Sequence, residues 1–329
     1  MASGEARACM AHQWANVVVS SSVMIAWACD GMEAAVAGVF AWLPIDAVML
    51  TALARGSASR RQSVLVHHAI AALACVLFFA DPTYALRGPI GRSLLALELT
   101  TPAVCLHNVG VISGKVRNVV WLAVRVPACA ALVRYSWDAA DVSIGRGVIG
   151  SHVVCLGLVA LSVAWTLRAQ ASTIAFLGPC FVATRRGDLR GMLLTGAVAA
   201  TTTVFYSPRA WRYRAEIEFL DKMAIAVFVV CATFGVSTPA TVTIGGMLCL
   251  CRKKARLDAS VHALVLCSSV ALIWRLPPAS VEQGMCMASL VTMVAYLCIT
   301  PGPRALTFGH RIAWHACAGC QMSAALLSG

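Results

Sequence analysis

The chain has 329 residues, 60% of them apolar and only 12% charged, with a mean hydropathy of +0.79, whereas a soluble chain carries about 25% charged and roughly 45–50% apolar residues. Its long uncharged runs match the ~20 apolar residues of a helical span, which excludes a soluble enzyme and a β-barrel. The net charge of +12, from 26 Lys and Arg against 14 Asp and Glu, sits between the apolar runs, where it marks topology and not a nucleic-acid footprint.

Marking each apolar run and its polar break predicts an all-α, polytopic transmembrane helix bundle of about thirteen spans. Six fall at 14–29, 34–54, 63–80, 93–113, 118–133 and 147–167, and seven at 172–184, 189–206, 223–238, 240–251, 259–274, 283–299 and 311–327. The runs 172–184 and 240–251 are short, and either one lying re-entrant would move everything downstream to the other side. Cytosolic loops are enriched in Lys and Arg. Counting all thirteen runs puts most basic residues, including the cluster Arg252-Lys253-Lys254-Ala255-Arg256, on the N-terminal side. The expected orientation is therefore a cytosolic N-terminus and a lumenal C-terminus. With one basic residue, Arg7, before the first run and no small-residue cleavage site after it, that run is expected to remain as a span. The two groups of runs show no mutual likeness and are taken as two modules, 1–168 and 169–329.

An ionisable side chain inside a span costs about 2.5–3.5 kcal/mol on insertion scales, so each is a functional candidate. In the first module these are Asp46, the pair His67-His68, Glu98 and Arg125, with the polar Asn108 two to three turns after Glu98. By the span count they fall in the cytosolic half, with Glu98 deeper, and are expected to share one cavity. The chemistry open to this set is acid–base work at an acyl or phosphate ester. A neutral imidazole takes a proton from a hydroxyl or amine, Asp46 or Glu98 orients it, and Arg125 holds an anionic head group or the phosphate of an acyl-CoA co-substrate. Adjacent helical residues point about 100° apart, so one histidine of the pair can face the cavity while the other bonds a neighbouring helix. The competing reading is that these groups pair across helices and only hold the bundle together.

The segments Leu43-Pro44-Ile45-Asp46, Leu65-Val66-His67-His68-Ala69-Ile70 and Leu97-Glu98-Leu99-Thr100-Thr101-Pro102, followed by Asn108, resemble the TLC (TRAM, LAG and CLN) domain over roughly 32–167. The resemblance implies a membrane protein of the endoplasmic reticulum or another endomembrane that acts on lipids, and adds Thr101 and Asn108 to Arg125 as substrate-binding candidates. Ceramide synthases of that family carry an "HD..D" segment where this chain has Leu97-Glu98-Leu99-Thr100-Thr101. The closer likeness is to TLC-domain proteins associated with membrane phospholipid composition. Function is thus expected in lipid metabolism or homeostasis, on a sphingolipid, phospholipid or fatty-acyl group. A lipid sensor or carrier without turnover, and a multi-span transporter, are the alternatives.

In the second module Thr203 to Ser207, Asp221, and His310 to His315 recur on one side of the bundle. This pattern is similar to the seven-span superfamily of PAQR receptors, haemolysin-III-like proteins and alkaline ceramidases, whose motifs hold a zinc-activated water. Thr203 stands where that pattern has Ser, Ser207 where it has His, and Arg311 where the partner of His315 belongs. Asp221 and His315 alone are too few for a hydrolytic zinc, which uses three protein ligands. No metal cofactor is therefore expected. The 15 cysteines, among them Cys75, Cys105, Cys129, Cys155, Cys267 and the pairs Cys249/Cys251 and Cys317/Cys320, read as buried packing. The single histidines His107, His152 and His262 are expected to bond a neighbouring helix.

Overall fold

A computed structural model describes residues 4–29, 31–53, 58–80, 87–141, 147–168, 170–207, 212–235, 254–299 and 308–329. The described residues are helical. The first half contains α1 (Gly4–Ala28), α2 (Met32–Leu53), α3 (Ala58–Ala80), α4 (Arg87–Glu98), α5 (Thr100–Asn108), α6 (Gly114–Ala139) and α7 (Val148–Leu167). A 3-10 turn at Ser172–Phe176 leads into α8 (Leu177–Arg185) and α9 (Leu189–Phe205), followed by α10 (Arg214–Phe234), α11 (Lys254–Arg275), α12 (Val281–Ile299) and α13 (Phe308–Ser328).

Local chemistry sets several boundaries. Ser113 caps α6 by accepting from the Val116 backbone N–H, and Asp188 caps α9 by accepting from Gly191 N–H at 2.8 Å. The run expected as one span at 93–113 is two helices that meet at Leu99. Pro102 explains the break, because it has no N–H for the Glu98 carbonyl and its ring crowds that oxygen. The kink places Glu98 and Thr101, joined by a hydrogen bond of 2.9 Å, on either side of the bend.

Thirteen full spans do not emerge. Among the described residues four helices are long and apolar enough to cross a membrane, namely Met32–Ala52, Gln62–Ala80, Gly114–Ala139 and Val148–Leu167. Leu189–Phe205, Ala259–Arg275 and Val281–Ala295 are apolar but shorter. The nine-residue α8 rises only about 14 Å at 1.5 Å per residue, less than half a hydrocarbon core. The run 240–251, with Cys249 and Cys251, lies outside the described residues, as do Arg252, Lys253 and the side chains of Lys254 and Arg256.

The core is organised around α7. Its apolar window is 83% buried, against 39% for α3, 28% for α2 and 17% for α6. Val154, Cys155, Leu158 and Leu161 pack into one apolar cluster with residues of α2, α3 and α4. Val148 and Ile149 join another cluster with residues of α9, α10, α12 and α13. The final helix returns to the first half, where Ile312 lies in the same cluster as Val154 and Leu158. Of the cysteines, Cys75, Cys105, Cys155 and Cys320 are buried, Cys129 and Cys317 are half-buried, and Cys267 is exposed on the outside of the bundle.

Close packing of α13 depends on Gly319, where an added Cβ would stand 2.7 Å from the Ala175 carbonyl oxygen in the 3-10 turn. Backbone cannot retreat as a side-chain tip does, so Gly319→Ala is expected to destabilise by about 1–3 kcal/mol. Gly284 in α12 has nothing within 4 Å of that position, and Gly284→Ala should be neutral or stabilising through helix propensity. Thermal unfolding of the two variants in detergent reads the difference.

Candidate functional site

The consecutive residues His67 and His68 of α3 reach different carboxylates. The His68 Nε2 lies 2.9 Å from Asp46 Oδ2 on α2. The His67 Nε2 lies 3.8 Å from Glu98 Oε1 at the end of α4, an ion-pair separation and not a hydrogen bond. Asp46 is the more heavily used carboxylate. Its Oδ1 accepts from His12 Nε2 at 2.5 Å and from Asn16 Nδ2 at 2.9 Å, and Trp42 Nε1 donates to Asn16 Oδ1 at 2.7 Å. One buried carboxylate therefore ties α1, α2 and α3 together.

Glu98 accepts from Thr101 at its other oxygen. Arg125 of α6 lies deeper and is buried. Its Nε and Nη2 donate to Thr100 Oγ1 at 3.1 and 3.0 Å, and its Nη1 donates to Ser162 Oγ on α7 at 2.9 Å. The guanidinium sits 4.2 Å from the Trp121 ring centre, a cation–π placement. Trp165 stands between the groups, with its ring 5.4 Å from His67 and 5.8 Å from the Arg125 guanidinium. Asn108 Nδ2 donates to Gln13 Oε1 of α1 at 2.9 Å.

Asp46, His67, His68, Glu98, Thr101, Asn108 and Arg125 all line one cavity of about 1260 Å3. The same cavity is also lined by apolar side chains, among them Val19, Val23, Val39, Leu43, Val104 and Leu122. Both histidines face the cavity and both also pair with another helix, where the sequence reading divided those tasks between them. The Nδ1 atoms of His67 and His68 are buried without hydrogen-bond partners.

Asp221 and His315 line a second, much smaller cavity of about 80 Å3. Asp221 Oδ1 accepts from Thr202 Oγ1 at 2.5 Å. Thr203, the expected position, is exposed and bonds the Ala199 carbonyl of its own helix. His315 Nδ1 pairs with Ser172 Oγ at 2.6 Å and packs against Tyr206 with ring centres 5.3 Å apart. Among the described residues no three His, Cys, Asp or Glu side chains gather closely enough to hold a metal ion. The His310 side chain lies outside the described residues.

The sequence reading missed His12 and Asn16. Their four-residue spacing puts both on one face of α1; His12 lies before the first span, which was started at Trp14, and Asn16, inside that span, carries no charge to mark it. Of the single histidines, His152 bonds the Ser136 carbonyl on α6 at 3.1 Å and His262 packs edge-on against Trp314 of α13. His107 bonds Ile112 in the turn after its own helix and not a neighbouring helix.

The chain matches no known protein family, no curated protein and no solved structure. The chemistry of the site is therefore argued from its geometry alone.

Asp46→Ala would leave His12, Asn16 and His68 without their shared acceptor. A buried donor left unsatisfied costs roughly 1–3 kcal/mol, so Asp46→Ala should lower stability by at least that much, and Asp46→Asn, which keeps an acceptor oxygen, by less. Thermal unfolding of both purified variants checks the order.

Proposed function

We propose that the large cavity binds a membrane lipid or fatty-acyl group and carries out acid–base chemistry on it, with His68 as the base. The observation that supports this most directly is the union, in one cavity, of a partnered histidine–carboxylate pair with apolar lining side chains such as Val19, Val23, Val39 and Leu43. When His68 donates its Nε2–H to Asp46, its Nδ1 carries the lone pair; that atom is buried without a partner, so the proposal requires a bound lipid to displace the side chains that cover it. It can then accept a proton from a hydroxyl or amine of the bound lipid, as in acyl transfer, or from water, as in hydrolysis. His12 and Asn16 hold the carboxylate in place. His67, Glu98 and Thr101 form a second polar group on the same cavity, suited to returning a proton to the leaving group.

On this reading the chain is a TLC-like multi-pass protein of an endomembrane, such as the endoplasmic reticulum. Its N-terminus is cytosolic and the first seven helices supply the lipid site; the lumenal C-terminus expected from thirteen spans is not kept, because α8 is too short to cross. An acyl-CoA co-substrate is compatible with the acyl-transfer form of the proposal.

Loss of a general base costs typically 10²–10⁴-fold in rate. His68→Gln can still donate to Asp46 but takes up no proton, so it should fold normally and lose the activity. Whole-cell lipidomics on wild type, His68→Gln and the His67→Ala, His68→Ala double variant at matched expression tests this. A sphingolipid or phospholipid class changed by wild type and restored in both variants is the expected result. Identical lipid profiles in wild type and variants would overturn the catalytic assignment.

A further inference from the structure

The large cavity is electrically unbalanced. Among its lining residues four arginines, Arg117, Arg125, Arg168 and Arg311, face two carboxylates, Asp46 and Glu98. Both carboxylates are already engaged by His12, Asn16, His68 and Thr101. Arg125 is likewise committed to Thr100, Ser162 and Trp121. The uncompensated charge therefore lies with Arg117, Arg168 and Arg311.

These three come from separate helices and line the same cavity, with α7 packed against both α6 and α13. Arg117 lies in the first turn of α6, Arg168 is the residue that ends α7, and Arg311 lies in the first turn of α13. The hydrogen bond from Trp121 to Thr166 brings the start of α6 against the end of α7. Arg117 is half-buried and donates to its neighbour Asn118. Arg168 has φ +50°, a left-handed backbone that favours glycine, yet an arginine holds it at the cavity rim. Arg311 is half-buried beside Tyr206, with its guanidinium 5.2 Å from the ring centre, and its Nε is buried without a hydrogen-bond partner. Simple topology charges would point outward to water or headgroups. All three line the cavity instead, Arg117 and Arg311 half-buried and Arg168 exposed.

We infer that the cavity takes a phosphate-bearing amphiphile, with the phosphate held by Arg117, Arg168 and Arg311 at the mouth and the hydrocarbon running along the Val23 and Leu43 wall. Three guanidiniums match the charge and several oxygens of a phosphate better than the single charge of a carboxylate. The inference rests on the lipid-binding reading above and specifies its ligand. The same phosphate chemistry could arrive on a membrane phospholipid or on a soluble phosphate.

The test is binding to the purified full chain in neutral detergent, read by native mass spectrometry. The probes are phosphatidic acid, diacylglycerol with the same chains, palmitate and inorganic phosphate. Phosphatidic acid should bind in clear preference to diacylglycerol and palmitate. Replacing the three arginines by Gln should weaken phosphatidic acid on the order of a hundredfold, from roughly fivefold per basic residue at a membrane surface, and leave diacylglycerol unchanged. Lys115→Gln, an exposed residue of α6 outside the cavity, should keep the preference. Displacement of phosphatidic acid by millimolar inorganic phosphate would assign the mouth to a soluble phosphate, and retention would assign it to a phospholipid. Equal binding of phosphatidic acid, diacylglycerol and palmitate, unchanged in the arginine variant, would overturn the phosphate assignment while leaving the lipid cavity standing. Binding of none of the four would overturn both.

Discussion

A carboxylate among apolar helices must find donors, and the fold of the first half follows from how Asp46 finds them. Water is scarce there, so an unmet carboxylate carries a large desolvation cost. His12 and Asn16 from α1 and His68 from α3 meet that need at both oxygens. The result fixes the rotation of three helices about their axes as well as their separation. A lipid-facing rotation of any of them would leave buried polar atoms unpaired. The same bonds that hold the helices orient the imidazole, so structural and catalytic readings of the network are two consequences of one geometry.

The helix α7 does by packing what Asp46 does by hydrogen bonding. Gly150 and Gly157 allow α3 to approach closely, since a Cβ at either would stand 3.0 Å or less from Leu77 or Ile70. Across its other faces α7 meets α6, α8, α12 and α13. It contributes to apolar clusters on both sides and lines the large cavity through Trp165 and Ala164. The final helix closes part of that cavity. Its fourth residue, Arg311, lines the large cavity, while His315, one turn later, lines the small one.

Much of the polar layout was legible in the sequence because charge in an apolar run is rare and costly. Asp46, His67, His68, Glu98, Asn108 and Arg125 stood out for that reason alone. What failed were inferences that need three-dimensional pairing. His12 was missed because a span was begun at the first uninterrupted apolar residue, although a paired histidine can lie inside one. The break at Leu99 was signalled by Pro102, but hydropathy averages over it. Thr203 was taken in place of Thr202 because a shift of one residue turns a helical side chain by about 100° and leaves the composition unchanged. Thirteen spans were counted because apolar runs such as 172–184 look alike whether they cross a bilayer or fill the interior of a bundle.

The placement of charge within the cavity separates two tasks that composition alone would merge. Arg125 looked like an anion-binding residue because it is a lone cation in a span, yet its donors go to Thr100 and Ser162. It joins α6 to α5 and α7 and places a fixed positive field behind His67 and Glu98. The arginines proposed to hold an anion are instead Arg117, Arg168 and Arg311, which line the same cavity. A ligand charged at one end and apolar along its length would therefore be held at the mouth by charge and along the wall by burial. On the proposed function, the histidine–carboxylate pairs would then act on the linkage between the two parts.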